Sequence, residues 1–275
     1  MKITILQGGE VFLSPGFCFG GDKKGSNPLA GLLTKQENRL VFPINAYLIE
    51  TGRHRVLVDT GLPRACASAQ ALGVLEGMKF FGMHYVNQPC HLSPGQGVAD
   101  RLSALHVDPS SIDCIVLTHL DFDNVGGLED LPGARRILVS REEAMEGVRD
   151  PLRYQRKWWK DQHVNVFDWK EAKGPFGRSL DLFGDGVISL IDLSGHSAGM
   201  CGVKIKNERG KFVLLYADAG YGEQAWKELT LPSLYRFKDR AKTALEWVRM
   251  ESMHKNCVVS MGCHETQVQP DVITW

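Results

Sequence analysis

Four short apolar runs in this chain end alike, each leading to a side chain able to bind metal, set beside glycine or alanine. The run Asp113 to Thr118 leads to His119, Asp121, Asp123 and Asn124 before Gly126 and Gly127. The other three lead to His196 next to Gly195, to Asp218 between Ala217 and Ala219, and to His264 just after Gly262 and Cys263. A brief apolar run closed by such residues reads as a buried strand. Alternate side chains of an extended segment share a face, so His119, Asp121 and Asp123 can converge, with Asn124 turning in where the loop bends at the glycines. One imidazole with several oxygen donors at a strand exit suits a divalent cation.

The rest of the chain supplies the frame. Strand patterns fall at Ile3 to Leu6, Val11 to Leu13, Asn45 to Glu50, Arg55 to Asp59, Arg136 to Ser140, Val187 to Leu193, Gly202 to Lys206 and Phe212 to Tyr216. The pair 45–50 and 55–59, joined by a polar connection containing Gly52, reads as antiparallel. Helical spacing appears near Arg64 to Leu72, at Gln96 to His106, at Arg141 to Val148 and from about Leu234 to His254. Strands and helices mixed in this way favour an α/β (α+β) fold of stacked mixed sheets covered by helices. A Gly-rich stretch carrying Phe17 and Phe19 before Asn27 and Pro28 reads as a loop. The Trp-rich stretch 149–185, with Trp158, Trp159 and Trp169, fits the pattern least and is expected to be a lid or an insertion in a single domain spanning 1–275.

Composition sets the outer limits. The 275 residues can bury nearly three quarters of their extended surface by the usual scaling, about 12,000 Å² remaining exposed, so no covalent staples are required. With 32 basic and 32 acidic residues the formal charge is zero, which offers no bulk field for nucleic acid or anionic lipid. The seven cysteines (Cys18, Cys66, Cys90, Cys114, Cys201, Cys257 and Cys263) include no CxxC pair and suggest neither a disulfide framework nor a thiolate zinc site. Free thiols, an N-terminus unlike a signal peptide and the lack of a long apolar span lead to the expectation of a cytoplasmic protein with a small-molecule substrate.

Taken together, AYLIE with VLVDTG, THLDFDNVGGL, LSGHSAG, YADAGY and GCHE resemble the metallo-β-lactamase superfamily, and within it most closely the N-acyl homoserine lactone lactonase-like hydrolases. The fragments occur in the family's order across nearly the whole chain. The resemblance implies a four-layered αββα sandwich of two mixed β-sheets flanked by helices, with metal at one edge, and it allows a homodimer.

This chain departs from the family at two ligands. Where the family has HxHxDH it has HxDxDN, with Asp121 for the second histidine and Asn124 for the last. By the resemblance, one ion would be held by His119, Asp121 and His196, the other by Asp123 and His264 with Asn124 in a weakened position, and Asp218 would bridge them. A two-His, one-carboxylate set accommodates Zn, Mn or Fe(II), with Zn the first expectation, and one or two ions are anticipated. The resemblance also gives Tyr221 a place at the substrate carbonyl, where it would stabilise an oxyanion, and gives Asp59 a ligand-orienting hydrogen bond.

Chemistry follows from charge. A divalent ion makes hydroxide available near neutral pH and polarises a carbonyl, so the expected activity is that of a metal-dependent hydrolase of small ester-, lactone- or thioester-like substrates, with Asp123 able to exchange the proton. An iron-binding oxidoreductase of the same fold, or a catalytically weak ligand-binding homologue with one structural metal, are the alternatives. His54, His84, His91, His106, His163 and His254 read as surface or packing residues, and Cys263 as a small buried neighbour of His264. The aromatic residues Phe17, Phe19, Phe80, Phe81, Trp158 and Trp159 read as core. Arg153, Arg156, Lys157 and Lys160 read as a solvated basic helical face.

Overall fold

The structure is a computed structural model that describes residues 1–21, 35–68, 77, 78, 81, 88–266 and 271–275. Two sheets lie face to face. The larger contains β1 (Lys2–Leu13), β2 (Leu40–Glu50), β3 (Arg55–Val58), β4 (Cys90–His91), β5 (Cys114–Val116), β6 (Ile137–Ser140), β7 (Val164–Phe167) and β13 (Val272–Thr274), in the order β13-β1-β2-β3-β5-β6-β7 with β4 against β1. The smaller runs β12-β11-β10-β9-β8, from β8 (Ser179–Asp181), β9 (Ile188–Asp192), β10 (Cys201–Lys206), β11 (Phe212–Ala217) and β12 (Cys257–Gly262). Both are mixed: β3, β5, β6 and β7 are parallel neighbours and β1, β2 and β3 antiparallel, while β12 runs parallel to β11 in an otherwise antiparallel sheet.

The two-residue period of a strand divides the apolar side chains between layers. Tyr47, Ile49, Val56, Val58, Cys114 and Val116 face inward and meet Leu190, Val203, Ile205, Val213, Leu215 and Met261 of the smaller sheet. Their neighbours Ala46, Leu48, Leu57, Ile115 and Leu117 face the other way and pack with Val98 and Leu102 of helix α3 (Val98–Ala104) and with Phe122 and Val125 of α4 (Phe122–Val125). On the far side, Phe212, Leu214 and Tyr216 pack with Ala225 and Trp226 of α6 (Gly222–Glu228) and with Ala241, Ala244, Leu245 and Val248 of α7 (Lys238–Ser252). Three further helices are α1 (Pro15–Phe19), α2 (Ala65–Ser68) and α5 (Arg141–Arg149). The result is the four-layered αββα sandwich expected from the sequence.

Several elements differ from the sequence reading. The two expected N-terminal strands are one, β1, whose pairing with β2 shifts register between Gln7 and Glu10, where Gly8 and Gly9 interrupt the apolar pattern. The last long helix begins only at Lys238, because Arg236 N and Phe237 N donate to Gly195 O at 2.7 and 2.9 Å and hold the preceding backbone against the His196 loop. The 149–185 stretch supplies one edge strand of each sheet, β7 and β8, and buries Tyr154 and Trp158. The helix expected at 64–72 is described only as far as Ser68. Asn27, Pro28, Phe80 and His84 lie outside the described residues.

Candidate metal centre

The four strand exits do meet at one rim. Beyond β5, Asp121 stands at the N-cap of α4, and Asp123 and Asn124 lie within that helix; His196 follows β9, Asp218 follows β11 and His264 follows β12. His119, Asp121, Asp123, Asn124, His196, Asp218 and His264 are all buried. Backbone geometry allows this crowding. Gly195 has φ 150° and lies so close to α7 that a Cβ there would strike the backbone of Ala241, and a Cβ on Gly127 would strike Thr60 O. Ala217, just before Asp218, holds a left-handed φ of 51°, the kind of strained turn that concentrates at functional sites.

Each imidazole has its Nδ1 fixed by an acceptor. His264 Nδ1 donates to Pro43 O at 2.9 Å and His196 Nδ1 donates to Leu234 O at 3.1 Å. His119 Nδ1 donates to Thr118 Oγ1 at 2.9 Å, since that hydroxyl gives its own hydrogen to Asp59 Oδ2 at 2.8 Å. A ring whose Nδ1 carries the hydrogen presents a bare lone pair at Nε2. All three Nε2 atoms face carboxylates: His119 to Asp121 Oδ2 at 3.4 Å and Asp218 Oδ2 at 3.9 Å, His196 to the same two at 3.0 and 3.7 Å, and His264 to Asp123 Oδ2 and Asp218 Oδ2, each at 3.4 Å. A nitrogen lone pair turned on a carboxylate calls for a cation between them, either a proton or a metal ion.

The electrostatics carry the same demand. Burial disfavours a charged imidazole, yet the carboxylates of Asp121, Asp218 and Asp59 outweigh it and hold His119 up at about 9. Asp218 and Asp123 raise His264 in the same way, again against burial. Burial works to raise Asp218 too, but His264, His119 and His196 pull it below the ordinary carboxylate range. Tyr221 is pushed well above its usual value by burial and by the charges of Asp218 and Asp123, so its phenol keeps its hydrogen. Its ring lies 4.8 Å from that of His264 and is flanked by Phe17 and Phe42 at 6.3 and 6.1 Å.

Three buried polar atoms in this cluster have no hydrogen-bond partner: His119 Nε2, Asn124 Oδ1 and Asp218 Oδ1. Such atoms are costly unless something pairs with them. One ligand atom from each of His119, His196 and Asp218 lies within 4.8 Å of the other two. Donor spacings of 3.0 to 3.9 Å bracket the ~3.3 Å expected between neighbouring ligands about 2.0 to 2.1 Å from a tetrahedral ion. The residues present therefore fit a divalent metal. Asn124 Nδ2 donates to Asp59 Oδ2 and to Cys263 Sγ, both at 3.1 Å, and its carbonyl oxygen has no partner.

One residue overturns its sequence reading. Arg153, assigned to a solvated basic face, is 8% exposed and grips Asp121 with two bonds, Nε to Oδ1 at 2.8 Å and Nη2 to Oδ2 at 2.6 Å, while Nη1 donates to His196 O at 2.9 Å. The segment after α5 folds inward here instead of continuing as an exposed helix. Glu143 was also missed. It is fully buried and accepts from Leu120 N, Ser197 Oγ and Gly199 N at 3.1, 2.6 and 2.9 Å, tying the His119 and His196 loops together. Nothing in the local sequence of either residue distinguishes it from a surface charge.

Residues 39–255 match the metallo-beta-lactamase superfamily, and the chain belongs to it. The N-acyl homoserine lactonase AttM of Rhizobium radiobacter is 28% identical over 141 residues, covering 51% of this chain and 54% of the lactonase, so the chain spans about half the length of the AttM proteins it matches. The N-acyl homoserine lactonase AiiB of Rhizobium rhizogenes is 26% identical over 236 residues, 80% of this chain and 77% of that one. Among solved structures, an N-acyl homoserine lactone hydrolase with N-hexanoyl-L-homoserine bound at its catalytic metal centre shares the fold at a TM-score of 0.75 and 19% identity, covering 99% of this chain and 98% of that one. The dizinc quorum-quenching lactonase AidC shares it at 0.64 and 13% identity, over 98% and 88% of the respective chains.

Proposed function

We propose that this protein is a metal-dependent hydrolase that opens small lactone or ester bonds. The observation that carries the reading is the set of three imidazoles whose Nδ1 atoms are tied off and whose Nε2 atoms turn on buried carboxylates, with His119 Nε2, Asn124 Oδ1 and Asp218 Oδ1 left unpartnered. His119, Asp121 and His196 would hold one divalent ion, Asp123, Asn124 and His264 a second, and Asp218 would touch both. When bound, such an ion lowers the pKa of water to about 7 and draws charge from a carbonyl oxygen. Zinc is the first candidate, with manganese and iron(II) also compatible with this mixed nitrogen and oxygen set.

The chain's own groups do the rest. Tyr221 keeps its hydroxyl hydrogen and offers it to the carbonyl oxygen as charge builds there. Asp123, the carboxylate beside His264, takes a proton from the attacking water and returns it to the leaving oxygen. Phe17, Phe42 and Tyr221 form an apolar wall beside His264 that shields the reacting bond from bulk water. The likeness to acyl homoserine lactonases makes an acylated homoserine lactone the first substrate to try.

The test is elemental analysis of protein purified without added metal, together with turnover of acyl homoserine lactones, simple lactones and aryl esters. Bound metal with lactone or ester turnover supports the proposal. Iron with a redox-active spectrum points to an oxidoreductase, and bound metal with no turnover to a binding protein, and either outcome overturns it.

A further inference from the structure

Arg153 is an unusual neighbour for a cation-binding centre. Its guanidinium is buried, bonded to Asp121 and to the backbone oxygen of His196, and brings a positive charge to the edge of the proposed metal site. The partner it grips, Asp121, stands where the superfamily motif has a histidine. An imidazole ligand is neutral and a carboxylate is not, so the substitution adds one negative charge to a site already holding Asp123 and Asp218, with Asp59 behind them. A guanidinium paired with that carboxylate returns the sum to its former value.

We propose that Arg153 and Asp121 act as one net-neutral ligand unit, in which Arg153 is a positioning residue that fixes the carboxylate and aims Oδ2 at the ion shared by His119 and His196. The inference rests on the metal-binding reading above. The planar fork uses both oxygens of Asp121, which fixes the plane of the carboxylate as a single contact would not. Oδ2 is left 3.0 Å from His196 Nε2 and 3.4 Å from His119 Nε2, the spacing of neighbouring donors. Through Nη1 the same guanidinium holds His196 O at 2.9 Å, so one side chain sets both Asp121 and the loop that carries His196. Arg153 is itself steadied by its backbone N on Asp150 Oδ1 at 3.2 Å and by stacking on Tyr154, with Cζ 5.1 Å from the ring centre.

The test exchanges the two partners separately and together. Cobalt(II) is the probe, with affinity and stoichiometry from equilibrium dialysis and the ligand field from visible absorption. Arg153→Met should weaken Co2+ binding by about 10- to 100-fold, the usual consequence of losing a residue that orients a ligand, and should alter the visible bands. Arg153→Lys should recover only part of the loss, because an ammonium cannot grip both oxygens. Asp121→His alone should also bind poorly, since it leaves the guanidinium buried without its partner. The double variant Asp121→His/Arg153→Met should bind more tightly than either single variant, and its visible bands should shift from the wild-type pattern as a nitrogen ligand replaces an oxygen, a change that removal of a purely structural salt bridge would not give. An Arg153→Met protein with wild-type affinity and spectrum overturns the proposal, as does a double variant no better than the poorer single one. Should Arg153→Met not fold, Arg153→Lys decides the question by the same two readouts. If the wild-type protein takes up no Co2+, Zn2+ or Mn2+, the metal-binding reading itself has failed and this inference falls with it.

Discussion

Asp59 accepts the Thr118 hydroxyl at 2.8 Å from a backbone held at a left-handed φ of 59°. Through that hydroxyl it fixes the His119 tautomer, and the same Oδ2 accepts from Asn124 Nδ2 and, at 3.4 Å, from Cys263 Sγ. A carboxylate suits this place because it only accepts. In Asp59→Asn the amide nitrogen must face one of these donors, leaving unmatched groups in a dry interior at about 1–3 kcal/mol each. Urea denaturation should show a lower midpoint, and the purified variant should carry less metal. An unchanged midpoint would show that Asp59 is not the anchor described.

In the proposed centre Asn124 would lend a neutral carbonyl where an imidazole would bind more tightly. Its Oδ1 has no partner and its Nδ2 is already committed to Asp59 and Cys263. A histidine at 124 can keep a ring N–H on Asp59 and turn its other nitrogen to the ion. Asn124→His should therefore raise the metal-to-protein ratio measured by elemental analysis, at a packing cost of about 1–3 kcal/mol for the larger ring in a filled site. A ratio equal to wild type would remove Asn124 from the ligand set.

What could be read in the sequence was whatever repeats at short range. Short continuous apolar runs at 45–50, 55–59 and 113–118 marked strands, and a His or Asp with glycine or alanine close by marked the strand exits, so the seven candidate ligands were visible before their meeting could be seen. Arg153 and Glu143 were not. Their roles depend on residues 32 and 56 positions away, Asp121 and Gly199, and a charged side chain looks the same in sequence whether water or a buried partner receives it. The start of α7 was misjudged for a related reason: apolar spacing from Leu234 suits a helix, but the Gly195 carbonyl claims the backbone N–H groups of Arg236 and Phe237.

Glu143 joins three donors from the His119 and His196 loops, so changing one of its oxygens should be felt at the proposed centre. In Glu143→Gln the amide nitrogen faces either Leu120 N on one side or Ser197 Oγ and Gly199 N on the other, and donor meets donor. The expected loss is about 2–4 kcal/mol, summing the unmatched buried groups. Hydrogen exchange should speed up at Leu120 and Gly199 more than in the strands between the sheets. Uniform exchange across the molecule would mean that Glu143 contributes to general packing only.

Burial raises the cysteine thiols: Cys114 and Cys257 reach about 11, and Cys18, Cys201 and Cys263 are also raised. A raised thiol is neutral in the folded protein where the unfolded chain already ionises. Its contribution to stability is complete below pH 9 and is lost as pH rises through about 11 for Cys114 and Cys257. At pH 8, iodoacetamide should leave Cys18, Cys114, Cys201 and Cys263 unmodified in the native protein and label them once urea is added, as read by mass spectrometry. Rapid native labelling of Cys263 would mean that the floor beneath His264 is open to solvent.

Metal binding should show directly in thermal stability. The ligand cluster draws on four separate strand exits, so an ion held there ties together segments that the unfolded chain leaves far apart and has little affinity for the unfolded state. Binding at a free concentration of 100 times Kd adds about 2.7 kcal/mol. For a chain of this size each kcal/mol moves Tm by roughly 2–4 °C, so loading chelator-treated protein with Zn2+ should raise Tm by about 5–11 °C. His196→Ala should abolish most of that rise while leaving the Tm of the chelated protein closer to wild type, because His196 Nε2 meets only the site and its Nδ1 only Leu234 O. A wild-type Tm indifferent to Zn2+, Mn2+ and Fe2+ would show that protons, not a metal ion, sit between these imidazoles and carboxylates, and would overturn the proposed centre.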